Sequence, residues 1–273
     1  MKALRYAVVD TETTGTLKED RAVSLAIVVV EDGVVRDTYY RVVNPERAIS
    51  AEAMAIHHIT EDDVKDAPTL VSLLPELIER TAGCVAYVAH NAPFDRRMLP
   101  GLPEKPWLDT LPLARVLHPS LESYRNEALK ETLALDCSTF EGVAHNALYD
   151  AQVTTRLFLH LMALLPEKHS HLTTVPQLEE FITQEKNKPR LLTICFLPKH
   201  KDTRWEDVPT DYLQWLVDKY RGNESVLLTA RHHLQRRAQS QVSDSSATAS
   251  TGSQSTVDTS NQSGWQTGAS RRF

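Results

Sequence analysis

Residues 4–15 read LRYAVVDTETTG, an apolar run that ends in two acidic residues and a Thr-Thr-Gly turn. The run predicts a buried strand. Because side chains alternate along a strand, Asp10 and Glu12 should project from the same side of its end. Like charges held together are unfavourable unless a cation lies between them or one is protonated, which indicates a site for a hard cation. Since Asp-x-Glu also occurs by chance at solvated strand ends, this pair alone does not decide between the two interpretations.

The pattern around this strand predicts an α/β fold with a mixed sheet. Five apolar segments predict strands: residues 4–10, 22–30, 34–43, 85–89 and 107–109. Helical periodicity or an N-capping residue predicts helices after Ser50, after Thr60, at 70–78, at 96–99 and from Asn146 to 164. A three-strand meander followed by alternating strands and helices predicts one domain over residues 1–165, with helices packed on the faces of the sheet.

The pattern restarts after Pro166 and predicts a small, mainly helical C-terminal module over residues 166–237. Its expected elements are a helix capped near Thr174, a polar linker at 184–189, a strand at 191–196, and helices at 212–220 and 224–237. Residues 238–273 contain 15 Ser or Thr among 36 residues and no Leu or Ile. Such a segment cannot bury enough apolar area to offset its ordering entropy, so we expect a disordered tail.

Composition narrows the class of protein. With 41% apolar residues the chain can form a globular core, and its longest apolar run, residues 22–30, is far shorter than the roughly 18 to 20 residues of a membrane span. We therefore expect a cytoplasmic protein with no membrane partner. Three scattered cysteines, Cys84, Cys137 and Cys195, argue against a disulfide framework or a zinc site. Residues 1–165 carry a net charge of −8, so this part would need cations to hold a polyanion.

Two further motifs place acidic residues near the predicted sheet edge. His90-Asn-Ala-Pro-Phe-Asp95 follows the fourth strand and enters a helix, and His145-Asn-Ala-Leu-Tyr-Asp150 enters the long helix. Ligands bind at such edges of open sheets. The structural alternatives are that Asp95 neutralises a helix N-terminus, that His90 and Asn91 cap the turn, and that His145 is an ordinary surface histidine. The ordered combination of three acidic motifs in one layer favours the functional interpretation.

The three motifs together resemble those of the DEDDh group of DnaQ-like 3'→5' exonucleases, which have a ribonuclease H-like fold. The similarity spans nearly all of residues 4–165, and residues 49–60 and 94–100 are most similar to bacterial exodeoxyribonuclease X enzymes. The tyrosine subgroup would need a Tyr at position 146, where this chain has Asn146, so the histidine subgroup is indicated. The resemblance implies hydrolysis of nucleic-acid phosphodiesters that releases nucleoside 5'-monophosphates.

The resemblance also implies roles for individual residues. Two divalent cations, Mg²⁺ or alternatively Mn²⁺, would be held by Asp10, Glu12 and Asp150, with Asp95 acting directly or through water. His145 would be the general base, since an imidazole ordinarily exchanges its proton near pH 6.5. By the same analogy, seven residues would contact the substrate: Thr13, Thr14, Gly15, Met54, His57, His90 and Asn91.

Several alternatives stay open at this point. The substrate would be the 3' end of DNA, and an exoribonuclease acting on short RNA is the alternative enzyme. A nucleic-acid-binding adaptor that does not cut is the alternative of another class, although all four carboxylates and the histidine are present. A homodimer and a partner for the tail are also open. The C-terminal module resembles a short domain found behind some such exonucleases, but Pro198 and Asp202 stand where that domain usually has glycines.

Overall fold

The computed structural model describes residues 4–140 and 142–249, with side chains placed up to residue 240. Residues 250–273, most of the expected tail, lie outside the described residues.

The described chain contains one five-stranded sheet in the order β3-β2-β1-β4-β5. Its strands are β1 Arg5–Thr13, β2 Ala22–Glu31, β3 Val34–Val42, β4 Ala86–Ala89 and β5 Trp107–Asp109. β1 and β2, like β2 and β3, are antiparallel, whereas β4 is parallel to both β1 and β5. The expected mixed sheet is therefore confirmed.

The helices of the first part of the chain follow the predicted order, with two additions. They are α1 Ala51–His57, α2 Glu61–Val64, α3 Leu70–Thr81, α4 Ala92–Met98, α5 Thr110–Leu117, α6 Asn126–Thr132, α7 Ala147–Lys168 and α8 Val175–Asn187. The side chains of Ser50 and Asn146 accept hydrogen bonds from the first-turn N–H groups of α1 and α7, as expected of N-caps. Helices α5 and α6 were not predicted from the sequence.

Both faces of the sheet are buried, which explains why β2 is apolar almost throughout. One core packs Val8, Val28 and Val88 against Leu157 and Phe158 of α7. The other packs the alternate strand positions against α3, and it contains Val9, Ile27, Val29, Tyr87 and Leu77. Strands covered on both faces read as continuous apolar runs rather than as alternating ones. The long helix α7 is thereby fixed against the sheet, and its first turn lies where the site forms.

The chain divides into two compact units after Lys188, not after residue 165 as the sequence suggested. The reason is α8, whose Leu178 and Ile182 are buried in the core that also holds α7. In addition, the Glu179 carboxylate accepts a hydrogen bond from the Trp107 backbone N–H at 3.0 Å. Because α8 continues to Asn187, the polar linker expected at 184–189 is also largely helical.

The second unit has its own core around Trp205, with helices α9 Thr210–Lys219 and α10 Glu224–Ala249. The strand expected at 191–196 is wrong, because the described residues there form only an isolated bridge between Ile194 and Arg204. Helix α10 includes residues 238–249, the first part of the segment for which the sequence predicts a disordered tail. Lengthening an existing helix adds hydrogen bonds without a new nucleation cost. Among the described residues, no helix is both long enough and apolar enough to span a bilayer.

Candidate active site

Three carboxylates meet at the end of the central strand. Asp10 and Glu12 lie on β1 opposite Ala26 and Ser24 of β2, and Asp150 lies in the first turn of α7. One carboxylate oxygen from each of the three residues can be chosen so that all of these atoms lie within 4.8 Å of one another. Carboxylate oxygens this close form a ligand set for a hard divalent cation.

Asp150 is held in place by the loop that precedes its helix. The backbone N–H of His145 donates to Asp150 Oδ2 at 2.8 Å, and the N-cap Asn146 starts the helix four residues earlier. His145 adopts a left-handed backbone conformation with φ 67°, which directs its N–H toward this carboxylate. The His145 side chain itself is exposed. The loop therefore joins the predicted base to the predicted ligand through a backbone contact while leaving the imidazole accessible.

Asp95 approaches the site from α4. Its side chain is 3% exposed, and the Thr11 hydroxyl donates to its Oδ1 at 2.8 Å. Thr11 lies between the two acidic residues of β1, so alternation along the strand directs it away from them. Asp95 is therefore adjacent to the cluster of Asp10, Glu12 and Asp150 without being part of it.

Burial raises the pKa values of all four carboxyls. The pKa of Asp10 is raised well above its ordinary value, first by burial and then by repulsion from Asp95, Asp150 and Glu12. Burial and repulsion from Asp150 raise the pKa of Glu12 to about 7, and burial raises that of Asp95 to about 7. The pKa of Asp150 is raised by burial, against the lowering effect of the His145 hydrogen bond.

No Lys or Arg in the described part of the chain forms an ion pair with any of these four acids. Elsewhere in the same unit some acids do have such partners, as Glu76 has in Arg80. Grouped buried carboxylates are stable when paired or metal-bound, and costly otherwise. The donor set therefore fits divalent metal ions that prefer oxygen ligands, such as Mg²⁺ or Mn²⁺.

A groove of about 620 Å³ is lined by Glu12, the one acid of the four that it reaches, and by residues of α1. Of the seven predicted substrate contacts, Thr13, Thr14, Gly15 and His57 line this groove. The turn that contains the first three is tied together internally, because Thr14 Oγ1 donates to Asp20 Oδ1 at 2.8 Å and Asp20 Oδ2 accepts the Leu17 N–H at 2.7 Å. A Cβ atom on Gly15 would lie 2.6 Å from Asp20 Oδ2, so a larger residue here would displace the Asp20 side chain that ties the turn together.

His57 supports the groove rather than presenting a free nitrogen to it. Its Nδ1 accepts the Ile59 N–H at 3.0 Å, so Nε2 carries the proton and donates to the Thr13 carbonyl oxygen at 3.2 Å. Burial lowers the pKa of the ring, which favours this neutral form. His57 therefore fixes the backbone of Thr13 immediately beyond Glu12.

Three predicted substrate contacts do not line the groove. Met54 packs with Val23 and Ile49 in a separate small core. The two ring nitrogens of His90 lie within hydrogen-bond distance of the Thr110 hydroxyl, at 2.8 Å, and the Tyr124 carbonyl, at 2.7 Å. His90 thus fastens the segment after β5.

Asn91 is exposed at the start of α4 with φ 71°, and its backbone N–H donates to Asp109 Oδ1 at 2.9 Å. The left-handed conformation makes the sharp turn from β4 into α4, after which Asp95 faces the site.

The seven predicted substrate contacts do not include the apolar residues of the groove, among them Ile56 and Phe94. Ile56 is 51% exposed although it lies one residue before the buried His57. The signal in the sequence was the spacing of Ala53, Ile56 and His57, which places all three on one side of α1. Phe94 is half-buried and directly precedes Asp95, within the same motif.

Comparison with known proteins places this geometry among exonucleases. A family model described as "Exonuclease" matches residues 7–158. Exodeoxyribonuclease 10 of Escherichia coli strain K12 is 35% identical over 233 residues, which are 84% of this chain and 98% of that protein. The PolC-type DNA polymerase III of Thermotoga petrophila is 32% identical over 240 residues, which are 84% of this chain and 17% of the polymerase.

Solved structures of exonucleases are also similar to this chain. Exonuclease X in complex with 5' overhanging duplex DNA is similar at a TM-score of 0.56 and 38% identity, over 65% of this chain and 99% of that chain. The nuclease domain of 3'hExo, a DEDDh family member bound to rAMP, is similar at a TM-score of 0.50 over 59% of this chain and 93% of that one. At 18% identity, the second likeness is one of fold.

Proposed function

This chain belongs to the exonuclease family as a DEDDh-type 3'→5' exonuclease, and on that premise we propose that it shortens DNA from its 3' ends and releases nucleoside 5'-monophosphates. The observation that carries the proposal is the cluster of Asp10, Glu12 and Asp150, with ligand oxygens within 4.8 Å of one another. DNA as the substrate is supported by the relatives, since Exodeoxyribonuclease 10 is named for it and exonuclease X is in complex with it.

Asp10, Glu12 and Asp150 would hold the divalent cations, with Asp10 shared between two of them and Asp95 acting directly or through water. Bound there, the cations would activate water and stabilise the charge that develops on the phosphate during in-line displacement. The acids of this chain suit that role because burial and mutual repulsion raise their pKa values. A bound cation would offset both effects.

His145 would take the proton from the attacking water. Its exposed imidazole is joined to the site through the backbone contact with Asp150, so the ring can move while the loop stays anchored. The groove would hold the terminal nucleotide, with its apolar side at Ile56 and Phe94 and its polar side at the turn of Thr13 and Gly15. Within this proposal His57 is a positioning residue for Thr13.

The test uses one strand sequence, prepared as DNA and as RNA and labelled at either end. With Mg²⁺ we expect 5'-labelled DNA to shorten progressively and 3'-labelled DNA to release its label at once as a mononucleotide. EDTA should stop both reactions, and Asp10→Asn should do the same while the protein stays folded. The matched control is Asp136→Asn, which changes an exposed acid that Ser138 hydrogen-bonds.

Activity retained in Asp10→Asn would remove the carboxylate cluster from the mechanism. Faster degradation of RNA than of DNA would overturn the assignment of the substrate while leaving the chemistry in place. Binding without cutting in the presence of Mg²⁺ would instead favour the adaptor.

A further inference from the structure

The second unit has an exposed tryptophan on α9, Trp215, whose ring stacks on that of Tyr212, a residue of the core beneath it. Tyr212 and Trp215 lie three residues apart on one side of the helix, with ring centroids 5.6 Å apart and an interplanar angle of 11°. Trp215 is 49% exposed, whereas Trp205 of the same unit is 1% exposed and lies in its core. The Trp215 ring is held by its contact with Tyr212 and still has a face open to solvent, which is available for stacking by a ligand.

Basic side chains adjoin these rings. Lys199 Nζ lies 4.9 Å from the centroid of the Tyr212 ring, and the His200 ring lies 4.5 Å from it. Lys199 is exposed, and within the described residues it forms no ion pair. Lys201, two residues further, is exposed as well. An aromatic face beside free ammonium groups offers both stacking and phosphate contact.

The second unit, unlike the first, carries the positive net charge that favours binding of a nucleic acid. Residues 1–188 contain 19 Lys or Arg and 28 Asp or Glu, a net charge of −9, whereas residues 189–273 contain 11 and 8, a net charge of +3. Phosphate neutralisation supplies most of the non-specific affinity for nucleic acids. An acidic catalytic unit gains little from it, so the basic unit is the better place for substrate capture.

From these observations we propose that Lys199, Lys201, Tyr212 and Trp215 form a binding surface for single-stranded DNA, here called the stacking surface. One base would stack on the exposed face of Trp215, and the neighbouring phosphate would lie beside Lys199. The ligand is a single strand because bases in a duplex are already stacked on each other and present only their edges. The inference rests on the proposed function to the extent that the captured strand is the substrate of the first unit.

The experiment measures binding by the full chain in EDTA, so that no strand is cut. A fluorescently labelled thymidine oligonucleotide is titrated, with anisotropy as the signal and a hairpin duplex for comparison. Trp215→Ala should weaken binding of the single strand about 5- to 150-fold, since stacking on one aromatic ring is worth roughly 1 to 3 kcal/mol per base. Trp215→Phe should recover most of the affinity, and binding of the duplex should change little.

Lys199→Ala tests the phosphate contact through its salt dependence. Losing one contact to a single strand should reduce the slope of log K against log salt concentration by about 0.7. The matched control is Lys65→Ala, which removes the same charge from an exposed position in the first unit, outside the stacking surface, and should leave the slope unchanged. Melting curves of all variants should coincide, because the altered side chains are exposed.

Equal affinity of wild type and Trp215→Ala for the single strand would overturn the inference, and so would an equal loss for the duplex. The stacking surface could alternatively bind an acidic peptide of a partner protein. If Trp215→Ala weakens binding of a Glu-rich peptide but not of the strand, the nucleic-acid assignment is wrong. Because these titrations need no turnover, they decide the matter even if the chain fails to hydrolyse DNA.

Discussion

Replacing Asp95 with Asn should stabilise the metal-free protein at alkaline pH and abolish its activity. Asp95 is 3% exposed, and burial raises its pKa to about 7, compared with about 3.9 in an unfolded chain. A difference of roughly 3 pH units corresponds to at most about 4 kcal/mol of folding free energy, of which we expect about 2 to 4 kcal/mol to be recovered. The Asn side-chain oxygen can still accept the hydrogen bond from Thr11.

The gain should depend on pH in a defined direction. Because folding raises the pKa of Asp95, its protonated form favours the folded state, and stability is lost as pH rises through about 7. Wild type and Asp95→Asn should therefore melt at similar temperatures near pH 4, and the variant should melt roughly 5 to 15 °C higher at pH 8. Mg²⁺ should narrow this difference, since only the wild type presents the complete acidic site.

Thermal melts in EDTA at both pH values measure the effect, with circular dichroism as the signal. Asp136→Asn serves as the control, since hydrogen bonds from Ser138 lower the pKa of Asp136 and no gain at pH 8 is expected. If Asp95→Asn melts below wild type at pH 8, ionised Asp95 does not destabilise the folded protein. In that case the hydrogen bonds of the Asp95 carboxylate would stabilise the folded protein by more than burial and charge repulsion destabilise it.

Three further predictions concern single positions in the site. Because the pKa of Glu12 is raised to about 7, protons compete with metal for this carboxylate. The rise in melting temperature that Mg²⁺ causes should therefore be larger at pH 8 than at pH 6, and a rise independent of pH would contradict this. His145→Asn, which suits the left-handed backbone at φ 67°, should lower kcat by about 10² to 10⁴ with an unchanged melting temperature, and steady-state rates near wild type would exclude His145 as the base. Gly15→Ala should raise KM and lower the melting temperature, because its Cβ would lie 2.6 Å from Asp20 Oδ2; unchanged values of both would show that the turn can shift at no cost.

The sheet was predictable because each of its strands leaves a strong local pattern. Residues 22–30 are almost wholly apolar, and the Glu31-Asp32-Gly33 turn joins them to β3 through residues in the left-handed region. Helices α5 and α6 leave weaker patterns, since each is shorter than nine residues and α6 buries only Leu129. A short helix with one buried residue shows no detectable period.

The boundary between the units was not predictable, for a different reason. The apolar spacing of Leu178 and Ile182 correctly indicates a helix with one buried side. Periodicity identifies the side that is buried but not the surface that covers it. In the structure that surface belongs to α5, β5 and their neighbours, so α8 joins the first unit.

Sequence motifs likewise identify the acids of the site better than its walls. His90 belongs to the same motif as Asp95, yet its ring contacts Thr110 and the Tyr124 carbonyl, and Asp95 alone reaches the site. The left-handed turn at Asn91 separates the directions of these two side chains, and no local pattern reveals that conformation at a non-glycine residue.

Side chains alternate along β1, and this explains why the four carboxylates lie at two positions rather than in one cluster. Asp10 and Glu12 point to one side of the strand, toward Asp150, while Thr11 points away and binds Asp95. Among the charges that raise the pKa of Asp10, Asp95 acts most strongly and Asp150 next, so Asp10 is the acid exposed to both positions. A single cation among Asp10, Glu12 and Asp150 would leave the charge of Asp95 uncompensated in a buried setting. From this order of charges we propose that Asp10 is the carboxylate shared between two cations.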